Sequence, residues 1–336
     1  MRQQEFNPEY NLLQEIFDYV WYKIFPTPKE TDPLSDYRKA FPILPDKIPY
    51  ETQKRTHASG ISITIGKTYN DKPVTLRLQE RPHSYICGTT GSGKSVMTKS
   101  ILTSLVTTYT SKELELYLCD LKRVELNLFR NVEHTKTFVY TVQDTTKVIH
   151  DLLAETNRRY DLFMKHNVTD IFEYNKLPKV KKLKYQVLFI EEVIMLLEDQ
   201  KKAAMKLLKQ LIAISRASGL YVFITTQRPS NDVIDNVVKA NINNRIVLKT
   251  EDTKNSIVAL DKEGAELLQG NGEAYLKHGA EIIHFRGYYI SDNYVKTKIK
   301  GAIKPSVSVK DKTQGEENKT PENGVKQVDL SFIQNL

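Results

Sequence analysis

At 336 residues the chain can bury one substantial core and still carry flanking segments, because single cores saturate at about 250–300 residues. Forty-nine Lys and Arg against 41 Asp and Glu leave a formal charge of +8, an excess that suits a polyanionic partner without requiring one. Two cysteines, Cys87 and Cys119, exclude a disulfide framework and imply a reducing, cytoplasmic setting, and no stretch reaches the roughly 18 uncharged apolar residues that a membrane span needs. The first residues are polar and resemble no targeting signal.

Residues 1–55 read as an accessory segment. In YNLLQEIFDYVWYKIF, Leu13, Phe17, Val20, Trp21 and Ile24 recur at helical spacing while Glu15, Asp18 and Lys23 interrupt, the pattern of an amphipathic helix that packs on its own domain or docks on a partner. A proline-punctuated, charged linker follows from Pro26 to Pro49. The core domain is expected over 56–300. ISITIG and PVTLRL flank a short polar turn and predict a hairpin, and HSYICG runs into a glycine-rich loop. LELYLCD, TFVYTV, QVLFIEE, LYVFITT and NRIVLKT then alternate with helical patterns, which predicts an α/β fold with a mainly parallel sheet flanked by helices. Residues 301–336, with KDKTQGEENKTPENG, have the composition of a disordered polar tail, and VDLSFIQNL at its end regains apolar character.

GTTGSGKS fits the phosphate-loop pattern GxxxxGK[ST], between a predicted strand and the helix-forming SVMTKSILTSLV. Its members are Gly88, Thr89, Thr90, Gly91, Ser92, Gly93, Lys94 and Ser95. The glycines let backbone N–H groups curl around phosphate oxygens without Cβ clashes. Lys94 places a point charge near the β and γ phosphates, Ser95 offers a hydroxyl to Mg²⁺, and the following helix aims its positive end at the triphosphate. ATP with Mg²⁺ is the expected ligand. After QVLFI come Glu191 and Glu192, where such an ATPase places an acid for the magnesium shell and then a glutamate that polarises water. Glu192 is the candidate base and Glu191 the candidate metal-shell acid, one methylene longer than the usual Asp.

Further motifs resemble the motor domain of the FtsK/SpoIIIE family over about Arg81 to Arg286. DLKRVEL (Asp120 to Leu126) is similar to the family's D-x-K-x-x-E-L, and AETNRRYDLF with Tyr174 and Asn175 to its RRY…YN helix. SRASGLYVFITTQRP (Ser215 to Pro229) resembles R-A-x-G…T-Q-R-P, VVKANINNRIVL resembles IKANxxxRI, and GAELLQGNGEAYL resembles the motor's closing segment, which runs into a hairpin through KHGAEIIHF. The resemblance implies a RecA-like P-loop fold and an ATP-driven DNA translocase: a homo-oligomeric, hexameric ring acting on duplex DNA through sequence-tolerant phosphate contacts. Glu-Glu members of this length resemble proteins of plasmids and conjugative elements in Gram-positive bacteria. Gln227 ends a strand expected beside Glu191 and Glu192, where its amide senses the γ-phosphate. Arg216 and Arg245 are candidates for an arginine finger reaching a neighbouring subunit, with a structural ion pair as the other reading of each. Lys239, Arg228 and the run Lys176 to Lys184 either face DNA phosphates or form a solvated surface.

Where the family shows DSRTILD, this chain has NSIVALD, with Asn255 and Ile257 in place of an acid and an arginine. The membrane spans and the sequence-reading winged helix of the division and sporulation members have no counterpart, so directional reading of DNA is not expected. A membrane or relaxosome protein is the partner expected for the N-terminal segment or the tail. Three other readings stand beside the duplex motor: a conjugative coupling ATPase acting on single-stranded DNA with bound protein, a protein-secretion ATPase, and a nucleotide-switched adaptor with little turnover.

Overall fold

The computed structural model describes residues 45–53, 55, 60–198 and 202–304. The amphipathic helix expected near residues 10–25 and the apolar end of the tail lie outside these residues. In chain order the first elements are β1 (Ile48–Pro49), β2 (Ser62–Lys67), β3 (Pro73–Arg77), β4 (Ser84–Cys87), α1 (Lys94–Thr108), β5 (Leu114–Asp120), β6 (Thr135–Val139) and α2 (Val142–His166). They are followed by α3 (Ile171–Lys176), β7 (Tyr185–Glu191), α4 (Ala203–Ile214), β8 (Leu220–Thr226), α5 (Asn236–Asn241), β9 (Asn244–Leu248), α6 (Thr253–Leu260), β10 (Glu273–His278), β11 (Glu281–Tyr289) and α7 (Asp292–Ile299).

One sheet runs β3-β2-β11-β10-β9-β4-β8-β7-β5-β6. From β9 to β6 all neighbours are parallel, whereas β10 pairs antiparallel with β9 and β11, β11 with β2, and β2 with β3. Parallel strands covered on both faces need side chains that tolerate burial throughout, and all seven residues of β7 and of β8 are buried. Ile86 of β4 packs with Met97 and Ile101 of α1 on one face, while Tyr85 and Cys87 join Ile149 and Leu152 of α2 and Leu208 and Leu211 of α4 on the other. Phe189 and Phe223 stack between neighbouring strands at 5.4 Å. Each such large side chain removed from water contributes about 1.5–3 kcal/mol, so this layer fixes where the strands end, and the site grows from those ends.

Three expected boundaries move. Residues 47–53, part of the segment read as accessory helix and linker, pack on the core: Ile48 and Pro49 pair parallel with Tyr288 and Tyr289, Tyr50 is buried, and the Gln53 amide bonds Ser104 Oγ at 2.8 Å. At the other end, residues 301–304 are still attached, with Ile303 bridged to Val132 and the Lys304 N–H donating to Asn131 O at 2.9 Å. The strand expected over TFVYTV stops at Val139, because Thr141 accepts the Asp144 N–H on its hydroxyl at 3.1 Å and caps α2 instead.

Candidate functional site

β4 lies between β8 and β9, and the chain leaves its end as the loop from Gly88 to Gly93 before α1 begins at Lys94. Gly91 and Gly93 have φ of +80° and +101°, the left-handed region that glycine enters without steric cost. A Cβ on Gly93 would stand 2.5 Å from Gly272 N, so the loop and the turn before β10 touch backbone to backbone. The Gly272 N–H donates to Ser92 O at 2.8 Å across this contact, and the Thr89 N–H donates to Lys249 O at 2.9 Å. Gly93 caps α1 without any side-chain acceptor, which leaves the first-turn N–H groups available to an anion. The Ser92 hydroxyl is buried without a partner, Gly88 is buried, and Thr90 is exposed.

The loop borders a cavity of about 350 Å³, within the range of small-ligand sites. Thr89, Thr90, Gly91, Gly93, Lys94 and Ser95 form its phosphate side; Glu125 and Gln227 close the edge beside β5 and β8; Lys47, Asn271, Tyr288 and Tyr289 form the far wall. Lys47 Nζ lies 4.7 Å from the centroid of the Tyr289 ring. Arg286, 1 % exposed, donates to Gly270 O and Asn271 O at 3.1 Å each and so pins the turn that presses on the phosphate loop.

The two acids have different surroundings. Glu191 ends β7, is 1 % exposed, and takes hydrogen bonds from Lys94 Nζ and Thr225 Oγ1. Burial raises its pKa, against the opposing pull of Lys94 and Thr225. Glu192 stands at φ +60°, a left-handed conformation unusual for a residue with a side chain. Its Oε1 accepts from Thr226 Oγ1 at 2.7 Å and the Gln227 N–H at 3.2 Å, and its Oε2 forms an ion pair with Lys122 Nζ at 2.6 Å. Burial pushes the Glu192 carboxyl up, but Lys122, Thr226 and the Gln227 N–H outweigh it and leave the pKa below the ordinary value. Glu192 is therefore held as a carboxylate at neutral pH.

Ser95 Oγ donates to Glu125 Oε1 at 2.6 Å at the mouth of the cavity. Ser95, Glu125 and Glu191 are hard oxygen donors around the Lys94 ammonium, a set that fits Mg²⁺ arriving with a nucleotide, since that ion is usually held by one or two carboxylates plus substrate phosphates. Among the described residues no cluster of three or more His, Cys, Asp or Glu side chains is placed to hold a metal by itself.

The two candidate arginines do not join the cavity. Arg245 on β9 is 7 % exposed and bonds Ala259 O at 3.0 Å and the Asp261 carboxylate, which Lys239 and Lys277 also approach. In this arrangement Arg245 makes the structural ion pair that was the other reading of it, and its guanidinium is committed within its own chain. Arg216 is exposed and precedes β8, so it lies at the edge opposite the phosphate loop, near enough to His83 to disfavour that ring's protonation. Arg228 pairs with Glu251 at 3.0 Å on the surface, and Lys184 pairs with Glu115 at 3.1 Å. Lys122 and Glu125, the Lys and Glu of the D-x-K-x-x-E-L pattern, join the site although the sequence by itself assigns them no role there; their place in the segment after an apolar strand, at the edge that carries Glu191, is the available signal. Lys47, Asn271, Tyr288 and Tyr289 had none.

Residues 50–190 match the FtsK/SpoIIIE family model. The chain is 32% identical over 281 residues to the DNA translocase FtsK of Halalkalibacterium halodurans, covering 80% of this chain and 35% of that protein. It is 35% identical over 248 residues to the DNA translocase FtsK of Caldanaerobacter subterraneus subsp. tengcongensis, covering 73% and 35%. The chain thus spans about a third of the length of the curated relatives it matches. Among solved structures it superposes on the pCW3 conjugation coupling protein TcpA, in monomer form with ATPγS, with a TM-score of 0.70 at 22% identity and 86% of both chains covered. It superposes on the cytoplasmic domain of the Thermomonospora curvata type VII secretion ATPase EccC with a TM-score of 0.67 at 19% identity, covering 76% of this chain and 33% of that one. These likenesses establish the RecA-like P-loop ATPase fold.

Proposed function

The chain belongs to the FtsK/SpoIIIE family by its P-loop ATPase domain, and we propose that it hydrolyses ATP to move duplex DNA as a ring of identical subunits. The observation that carries this reading is one cavity in which the phosphate loop, Glu125 and Gln227 meet, with Glu191 and Glu192 bonded to Lys94 and Gln227 at its inner edge. ATP enters with its phosphates at Gly91 to Ser95 and its base toward Tyr289 and Lys47. Ser95, with Glu191 and Glu125 nearby, would hold Mg²⁺ together with the nucleotide, and the ion would supply charge neutralisation for phosphoryl transfer. Lys94 turns from Glu191 to the β and γ oxygens, Glu192 takes the proton of the attacking water, and Gln227 reports the γ-phosphate to β8.

Arg216, at the edge away from its own cavity, serves as a finger only in trans, which a ring permits. DNA is held through phosphates, hence with little sequence preference and a steep dependence on salt. Among the described residues no helix is long and apolar enough to cross a membrane; a membrane or relaxosome protein would attach through the N-terminal segment or the C-terminal tail. TcpA is described as a conjugation coupling protein, which keeps a single-stranded track in plasmid transfer as the second reading.

ATP hydrolysis measured without DNA, with duplex and with single strands, over a salt series, for the wild type and Lys94→Ala, tests the reading. Stimulation by duplex that fades with salt and vanishes in Lys94→Ala is expected. Preference for single strands selects the coupling motor, and indifference to both nucleic acids overturns DNA movement in favour of secretion or a nucleotide-switched adaptor.

A further inference from the structure

A single short loop after β5 reaches both reactive ends of the site. Its fold depends on Asp120, fully buried, whose carboxylate accepts the Val124 N–H at 3.3 Å and the Leu126 N–H at 3.0 Å. Arg123 takes φ +62° to close the turn and rests its guanidinium 4.8 Å from the Tyr140 ring. Thus anchored, the loop sends Lys122 inward to Glu192 Oε2 at 2.6 Å and lets Glu125 accept the Ser95 hydroxyl at 2.6 Å. Val124 between them is 71 % exposed and contributes nothing to the interior.

We propose that residues 121–126 are the positioning element of the site, with Lys122 fixing the carboxylate of Glu192 and Glu125 fixing the hydroxyl of Ser95. This rests on Glu192 being the base. Glu192 needs such help because its backbone is left-handed and its side chain leaves the strand end with one oxygen held by Thr226 and the Gln227 N–H; two bonds to one oxygen define a pivot, and the charge of Lys122 on the other oxygen stops rotation about it. A base carboxylate misplaced by about 1 Å can lose on the order of a hundredfold in rate. Lys122 is itself one-third exposed, with 33% of its side-chain surface accessible, and is not part of the core. Its loss therefore moves the carboxylate without unfolding the strand. Glu125 performs the parallel task on the phosphate side: Ser95 must present a lone pair to the metal, and an acceptor for its proton sets that orientation.

The test compares wild type, Lys122→Met, Lys122→Arg, Glu125→Gln and Glu192→Gln in the full chain, reading kcat, KM, the Kd of a fluorescent ATP analogue and the Mg²⁺ dependence of kcat. Lys122→Met is expected to lower kcat about tenfold or more while the Kd stays within about twofold, and Lys122→Arg to recover much of the loss because the charge is kept. Glu125→Gln is expected to raise the Mg²⁺ concentration needed for half-maximal rate. Wild-type kcat in Lys122→Met beside an inactive Glu192→Gln overturns the proposal and leaves the base standing. Loss of Kd and kcat in proportion, with no recovery in Lys122→Arg, shows a structural lysine and overturns it as well. Normal turnover in Glu192→Gln removes the base and the proposal together.

Discussion

The parallel part of the sheet, β9-β4-β8-β7-β5-β6, and the antiparallel part, β10-β11-β2-β3, meet at the seam between β9 and β10, and the cavity straddles it. The parallel part carries the residues proposed for chemistry. Its strands all point one way, so the residues that follow their apolar runs collect at one edge: the phosphate loop after β4, Lys122 and Glu125 after β5, Glu191 and Glu192 at the end of β7, Thr226 and Gln227 at the end of β8. The antiparallel part supplies a wall. Its strands reverse direction, and what it brings is a glycine turn held by Arg286 and two tyrosines flanked by Lys47, the residue before the short strand β1. In a fold of this kind, reaction residues cluster where strand directions agree, and ligand-holding surface comes from wherever the sheet turns back.

Three measurements sharpen or break that division, the largest effect first. Glu192→Gln, on the parallel side, is expected to lower turnover about a hundredfold or more with ATP affinity nearly kept; near-normal steady-state hydrolysis would place the base elsewhere. Tyr289→Ala, on the antiparallel side, is expected to raise KM for ATP about fivefold, the equivalent of about 1 kcal/mol of base stacking, with kcat held. A fall in kcat without a change in KM would mean that the wall takes part in chemistry and that the division is wrong.

The third concerns the edge away from the site. His83 is buried, and burial, aided by the nearby Arg216 charge, lowers its pKa from 6.5 to about 3, with its Nδ1 accepting the Val222 N–H at 3.1 Å. The unfolded chain binds this proton below pH 6.5 and the folded chain does not until about pH 3. Stability contributed by His83 is therefore full above pH 6.5 and falls as the pH drops through that window. His83→Gln is expected to flatten the decline in Tm between pH 6.5 and 4 while leaving ATP hydrolysis at neutral pH unaltered. An equally steep decline would assign the acid sensitivity to other groups, His278 first, whose pKa burial lowers to about 4.

Much of the parallel part was legible in the residues. LELYLCD and LYVFITT became β5 and β8 without change, and QVLFIEE became β7 shifted by one residue, from Tyr185 to Glu191, because apolar runs of that length between helical patterns suit a covered parallel strand. The phosphate loop was legible for a different reason: Gly91 and Gly93 occupy conformations that almost no other residue adopts, so the motif and the shape coincide. The end of NRIVLKT was not legible, since Lys249 gives up strand pairing to accept the Thr89 N–H, a contact 160 residues apart in the chain. Nor was the attachment of residues 47–53, where Pro49 and the charges of Lys47 and Glu51 suggest a linker until Tyr288 and Tyr289 offer β1 a strand to pair with.

The residues alone determined the α/β class, the mainly parallel sheet, the phosphate loop and the acidic pair, because each follows from local spacing and from backbone conformations that few residues tolerate. Tertiary structure alone decided that Arg245 is held by Asp261, that Lys122 faces Glu192, that Glu125 meets Ser95, and that Lys47 closes on Tyr289. Each of these pairings joins a charged side chain to a partner in another segment, and such a residue takes whichever partner the packed sheet brings within reach.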